Sequence, residues 1–384
     1  MSSSVVFEDI VAVKIDNRGK TPPTVSGGHP LIEVNALVNC GLHPDIKKVS
    51  KFVDVETWST WFRQHLMEGD VVFSTVGTIG ETAIVSSGPN YAIAQNILGF
   101  RFKKDLVSPL YMLYLMRSSW FIHQITGRTI ETVQKSIKWS DMRGIKLDLP
   151  SVDTQEKIAK ILGDLDRKIE LNRRMNETLE QIGQTLFKKY FIDNPESEGW
   201  NKGDISKFAS NVRDNLKPPF PVDINYVALE HFTSGTLSLY EFASSEGVMS
   251  NKTKFRKHDI LFGKLRPYFH NVAIAPFDGM CSTDVLAIRP KNDDYFSFVS
   301  YFLSQKSLID YVTQSSEGTK MPRTSWKNIC NYEFHIPDDE SLKSFNKVMK
   351  PLLYCMLKNV ELIKTLKELR DALLPKLMSE EISV

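Results

Sequence analysis

At 384 residues the chain can hold two domains of ordinary size with connecting elements between them. Its 42% hydrophobic and 24% charged residues support full cores in a soluble protein, and no apolar run approaches the roughly 18–20 residues of a membrane span. A formal net charge of +2 excludes the strong basic excess usual in nucleic-acid-binding modules, so any such function must rest on local clusters or on a basic partner.

The first thirteen residues, Met1 to Val13, lack both the basic start and the long apolar stretch of a secretory signal, and a cytoplasmic location is expected. The four cysteines, Cys40, Cys281, Cys330 and Cys355, are scattered, without a Cys-x-x-Cys pair or a histidine at ligand spacing. They are expected to be thiols in a reducing compartment, with no bound metal.

In chain order, 1–150 reads as a β-rich globular part. Gly69–Thr75 and Ala92–Phe102 are β-branched and aromatic runs with strand character, Pro109–Ile125 has helical periodicity, and Leu147-Asp148-Leu149-Pro150 is a terminal strand stopped by proline. The segment 151–192 is one long helix with an N-cap pair at Asp153-Thr154, running to about Tyr190. Its expected pairing face is Ile158, Ile161, Leu165, Ile169, Asn172, Met175, Leu179, Ile182 and Leu186, whose eight steps span 28 residues, a coiled-coil period. At 1.5 Å per residue this rod would be about 57 Å long. Asn172 on that face would either fix the helical register or lie at its edge.

The pattern then repeats. The segment 193–337 carries strand-like Asp259–Phe262 and Val285–Ile288, helical Tyr295–Val312 and the closing run Glu333-Phe334-His335-Ile336-Pro337. A second long helix occupies 338–384, with an expected kink at Pro351 and a stripe of Leu353, Met356, Val360, Ile363, Leu366, Leu369, Leu373 and Leu377. Five matches occur in order at an offset of about 190. Gly69-Asp70-Val71-Val72-Phe73 matches His258-Asp259-Ile260-Leu261-Phe262, and the run Gln95 to Arg101 matches Thr283 to Arg289. Tyr114-Leu115-Met116 matches Tyr301-Phe302-Leu303, Trp139 matches Trp326, and Leu149-Pro150 matches Ile336-Pro337. The fold class is therefore α+β (mixed α/β), with two homologous globular domains joined by two long helices. Neither helix can hide its stripe alone. Antiparallel pairing of the two as a coiled coil is expected, with pairing to a second chain as the alternative.

Catalytic motifs do not emerge. Gly77-Thr78-Ile79-Gly80 is too short for a phosphate loop and lacks its lysine. Asn215-Leu216-Lys217-Pro218-Pro219-Phe220 separates Asn from the prolines by two residues, which breaks the tight turn of an adenine-methylating tetrapeptide. The histidines pair with neither serine nor cysteine in a recognisable pattern, and Asp293-Asp294 and Asp338-Asp339 read as solvated turn carboxylates. What remains are polar and basic loops at matching places in the two copies. The first copy offers Arg18, Lys20, Thr75, Thr78, Gln95, Asn96, Arg128, Gln134 and Lys135, and the second Lys264, Arg266, Tyr268, Thr283, Thr319, Lys320 and Arg323. These are mostly side chains that hydrogen-bond base edges and phosphates. Taken singly each is an ordinary hydrophilic loop residue. Together they form unlike loops on a repeated scaffold, which is what reading two different DNA half-sites requires.

These residues resemble the specificity subunits of type I restriction-modification enzymes. The likeness is strongest in Gln155-Glu156-Lys157-Ile158-Ala159, Leu186-Phe187-Lys188 and Leu369-Arg370-Asp371-Ala372-Leu373-Leu374-Pro375-Lys376-Leu377. It extends to Gly69-Asp70-Val71-Val72, Cys281-Ser282-Thr283-Asp284 and the loop from Gly318 to Arg323. The resemblance implies two target-recognition domains separated by antiparallel helices, a bipartite asymmetric double-stranded DNA target, and a chain that is not itself an enzyme. It also implies docking of two modification (methyltransferase) subunits and of restriction subunits in a bacterial or archaeal cytoplasm. S-adenosylmethionine, ATP and Mg would be used by those partners, with no cofactor bound by this chain. The competing reading is a coiled-coil scaffold whose two related domains bind proteins.

Overall fold

The computed structural model describes residues 3–17, 19–127, 136–221, 223–316, 321–379, 381–382 and 384. The chain forms two compact units, Met1–Glu170 with Leu366–Val384, and Leu171–Thr365, so that each holds part of both long helices.

In the first unit an antiparallel sheet runs in the order Val11–Ile15, Ile97–Phe102, Val71–Ser74, Thr82–Ile84. Val71 and Phe73 face a core shared with the helices, while Val72 faces a second core with Ile15, Ala83 and Ile97. Both sides of the strand are buried, which explains its unbroken apolar sequence. A smaller sheet places His29–Ile32 antiparallel to Phe52–Val53 and parallel to Ala92–Ile93. Ser3–Val6 pairs with Lys146–Leu149, bringing the two ends of the globular part together.

The second unit repeats this plan. Ala209–Asn211, Val285–Pro290, Ile260–Gly263 and Val272–Ile274 form the main sheet in the same order, and Lys202–Gly203 pairs with Phe334–His335. Ile260 and Phe262 face the helix-side core, and Leu261 the other. Its smaller sheet keeps the parallel pair, Asn225–Val227 with Gly279–Cys281, and gains Lys252–Phe255 and Asn215–Leu216 at one edge.

The repeated Gly/His-Asp motif has a structural cause. Asp70 is buried and accepts from Arg101 Nε at 2.9 Å and Nη2 at 2.8 Å; Asp259 accepts from the same two atoms of Arg289, each at 2.7 Å. A second contact caps each carboxylate, from the backbone N–H of Met67 at 2.8 Å and of Arg256 at 2.8 Å. The residue before each aspartate is left-handed, Gly69 at φ 86° and His258 at φ 73°. The turn thus delivers a charged group immediately before the central strand and pairs it with the penultimate residue of the neighbouring strand.

Two expected elements divide. Ala92–Ile93 and Ile97–Phe102 are separate strands in different sheets, and Pro109–Ile125 is two helices, Pro109–Arg117 and Ser119–Thr126. Ser118 ends the first helix and caps the second, its hydroxyl accepting from the Phe121 N–H at 3.2 Å. The second copy breaks at the same place, between Phe296–Leu303 and Lys306–Gln314.

The long helices are Val152–Phe187, continued by a wider π turn at Lys188–Ile192, and Asp339–Met378, which continues through Pro351 without interruption. The first is capped by Ser151, whose hydroxyl accepts from the Thr154 N–H at 3.3 Å, rather than by Asp153-Thr154. Within each unit the helices pair antiparallel. In the first, Arg370 Nη1 donates to buried Asp166 at 2.6 Å, and Ile158, Leu162 and Leu377 share one core. In the second, Asn359 Nδ2 donates to Asn176 Oδ1 at 2.8 Å, and Asn176 Nδ2 donates to the Met356 carbonyl at 3.1 Å. Further along, Phe187 meets Phe345 edge-on.

The pairing face differs from the expected one. Ile158 and Ile169 are buried, and Leu165, Leu179 and Leu186 are half-buried, but Ile161, Met175 and Ile182 are 37%, 40% and 42% exposed. The buried line instead passes through Gln155, Ala159, Leu162, Asp166, Ile169, Asn176, Glu180, Gly183 and Phe187. Polar side chains with partners, and a glycine, alternate with the apolar ones along this line. Asn172 is buried, but Asn176 makes the cross-helix bonds. On the second helix Val360, Ile363 and Leu377 are buried, Leu366 and Leu373 half-buried, and Leu369 is exposed.

Gly183 is required by contact: a Cβ there would overlap the Tyr301 ring and press on Met349. Gly183→Ala is expected to lower stability by about 1–3 kcal/mol, the usual cost of overpacking, read by chemical denaturation. An unchanged midpoint would show that the helix and ring separate freely.

Glu180 supplies a pH signature. It accepts from Thr236 Oγ1 and the Leu237 N–H, both at 2.8 Å, yet burial outweighs these bonds and pushes its carboxyl up to about 7. The folded state therefore holds this proton where the unfolded chain has lost it. Stability from this group is present below the ordinary carboxylate value and declines as pH rises towards 7. Denaturation of wild type and Glu180→Gln between pH 4.5 and 7.5 should show a steeper decline in wild type; parallel curves would contradict it.

Candidate nucleic-acid interface

The main sheet of each unit presents several loops at one end, and strand register determines which. In the first unit Ser74 lies opposite Ile97, and Ile15 opposite Gly99. The chain leaving Ile15, the chain leaving Ser74 and the chain entering Ile97 therefore meet at the same end. Thr75 joins them: its N–H donates to the Asn96 carbonyl at 2.8 Å, and its own carbonyl accepts from the Ile137 N–H at 2.9 Å. Val76 bridges to Ser136.

The second unit makes the same bonds. The Lys264 N–H donates to the Asp284 carbonyl at 2.8 Å, the Lys264 carbonyl accepts from the Thr324 N–H at 2.9 Å, and Leu265 bridges to Arg323. The equivalences are thus Thr75 with Lys264, Gly77 with Arg266, Asn96 with Asp284, and Ser136 with Arg323. One backbone arrangement carries unlike side chains at every point.

Of the residues singled out from sequence, Lys20, Thr75, Thr78, Gln95 and Asn96 lie at this end of the first sheet, and Lys264, Arg266, Tyr268, Thr283 and Arg323 at that end of the second. Arg18, Arg128, Gln134, Lys135, Thr319 and Lys320 lie outside the described residues. Lys20, Thr78, Gln95 and Thr283 are exposed, and Asn96 half-buried. Thr75 is an exception: it is buried, and its contribution is the backbone bridge rather than a free hydroxyl. Lys20 is presented by a small turn in which Asn17 Nδ2 donates to the Lys20 carbonyl at 2.9 Å and Gly19, at φ 69°, donates to Asn17 Oδ1 at 3.1 Å.

The second site is more strongly charged. Arg323 pairs with the Asp284 carboxylate. Burial and the nearby Arg323 hold the Lys264 ammonium below the ordinary lysine range, against the opposing pull of Asp284. Beyond them, Arg266 at φ 50° and His270 at φ 53° frame Pro267–Phe269, where Gly77 and Gly80 serve in the first unit at φ 80° and 94°. Each left-handed non-glycine residue costs about 1–2 kcal/mol, so this turn is held by its surroundings. Sequence reasoning missed Phe269, whose exposure depends on a turn shape that composition does not reveal.

This end of each sheet can hydrogen-bond and contact a polar, anionic surface. Among the described residues no group of three or more His, Cys, Asp or Glu side chains could hold a metal ion, and no helix is long and apolar enough to cross a membrane.

A family model, the type I restriction modification DNA specificity domain, matches the chain twice, over residues 17–181 and 194–368, once for each repeat. The MjaIX specificity subunit of Methanocaldococcus jannaschii is 28% identical over 332 residues, covering 76% of this chain and 75% of the relative. The EcoDI specificity subunit of Escherichia coli is 24% identical over 348 residues, covering 80% and 74%. The crystal structure of the S subunit of a type I restriction-modification system from M. genitalium has the same fold, with a TM-score of 0.54 at 12% identity over 98% of this chain and 96% of that one. The chain belongs to the type I restriction-modification DNA specificity family, with one specificity domain in each half.

Proposed function

We propose that each sheet end reads one half of a bipartite, asymmetric DNA target, and that the chain presents this target to two modification subunits and to restriction subunits docked on its long helices. The observation carrying this reading is the backbone joint repeated at Thr75 and Lys264, fitted with different side chains at each equivalent position. A duplicated frame fixes the loops, and the loop residues set the sequence. Arginine, lysine, glutamine and asparagine supply donors and acceptors to base edges, while phosphate contacts position without specifying. The near-neutral charge of the chain fits this division, with the methyltransferase partners supplying most of the phosphate contacts. S-adenosylmethionine, ATP and Mg belong to those partners, this chain binds no cofactor, and the assembly works in the cytoplasm.

Rigorously purified chain should show no methylation, cleavage or ATP hydrolysis, and adding its modification partner should produce S-adenosylmethionine-dependent methylation. Turnover by the chain alone would overturn the division of labour.

Exchanging residues 1–150 for those of another family member should change one half of the methylated sequence. Arg266→Ala should relax the other half, a well-made base contact being worth about 1–3 kcal/mol of discrimination. Sequencing of methylated sites reads both results. Alteration of both halves by the first exchange would contradict independent reading.

A further inference from the structure

The turn from Arg266 to His270 lies where the first unit has Gly77 to Gly80, in a connection one residue longer. Tyr268 and Phe269 are 50% and 47% exposed, with ring centroids 4.8 Å apart and planes at 55°. Exposed aromatics commonly sit on yielding loops, but this turn is pinned on every side. The Arg266 N–H donates to the Pro322 carbonyl at 2.8 Å, Ser234 Oγ donates to the Phe269 carbonyl at 2.6 Å, and Gly235 N–H donates to the His270 carbonyl at 3.1 Å. The His270 ring lies 2.8 Å from the Ser304 carbonyl, and Pro267 is buried beneath the turn. Two left-handed non-glycine residues are tolerated to keep this shape. The equivalent turn, Gly77-Thr78-Ile79-Gly80, reaches its positive φ angles with glycine and bears no aromatic ring.

The result is a rigid apolar knob beside Lys264 and Arg323, on the face assigned to DNA. Tilted by 55°, the two rings cannot slide together between stacked bases as parallel plates. They can meet the apolar feature of the major groove, the thymine 5-methyl group. We infer that Tyr268 and Phe269 read a thymine methyl in the second half-site, so that the two halves of the target are recognised by different chemistry. This rests on the DNA-reading assignment above. A preformed knob loses little freedom on binding, which lets a small contact act at full strength.

The test uses the assembled methyltransferase and duplexes carrying its methylated sequence, with each thymine of both half-sites replaced singly by deoxyuridine. Removal of one methyl in the second half-site should lower kcat/KM roughly fourfold, as expected for one buried methyl-sized group. The double variant Tyr268→Ala with Phe269→Ala should methylate the thymine duplex more slowly and no longer distinguish deoxyuridine there. Tyr268→Phe, which keeps the ring, should behave as wild type, and the response to replacements in the first half-site should be the same in all variants. Equal rates on thymine and deoxyuridine throughout the second half-site would overturn the inference, as would discrimination that survives in the double variant. A rise in 2-aminopurine fluorescence next to the contact would also overturn it, because it would mean base unstacking. None of these outcomes depends on the domain exchange, whose failure would instead remove the DNA-reading assignment.

Discussion

The buried carboxylate–guanidinium pair at the base of each main sheet is the contact on which the rest of the molecule is arranged. Asp70 with Arg101, and Asp259 with Arg289, lock two central strands in register at one end. A slip of one residue would turn Val71 and Phe73, or Ile260 and Phe262, into the wrong core. The same register determines which loops meet at the opposite end. A two-pronged ion pair with a backbone donor behind it has far fewer acceptable geometries than an apolar contact. The loops can therefore differ between the two units while the strands that carry them keep one register.

The long helices show a related use of polar groups. Asp166 receives Arg370 and the Tyr114 hydroxyl, the latter at 2.7 Å, and Asn176 bonds to both Asn359 and the Met356 backbone. Apolar stripes alone would tolerate sliding by a heptad. Buried polar partners penalise every register that leaves them unpaired.

This is also where sequence reading was least informative. The duplication, the main strands and the existence of both helices follow from spacing and apolar pattern. The helical face does not, because hydropathy treats Asp166, Asn176 and Glu180 as surface residues and Gly183 as a weak point. A stripe drawn through the apolar residues therefore rotates onto Ile161, Met175 and Ile182, which are exposed. The break at Ser118 was hidden for a similar reason: apolar residues continue on both sides, and only the serine's capping bond separates the helices. At the candidate interface, the loops were legible as unlike insertions between like strands. The joining of these loops to one another was not, since it resides in backbone bonds from Thr75 and Lys264 that are independent of side-chain identity.

A frame written twice, with contacts that fix it and loops that do not, explains how one chain can hold two specificities. The most direct measurement is site-directed photo-crosslinking of the assembled complex on its target duplex, from a probe at Thr78 and separately from one at Tyr268. The account predicts that each probe attaches to bases of one half-site, and that the two half-sites differ. Attachment of both probes to the same half-site, or of either probe to both, would contradict it.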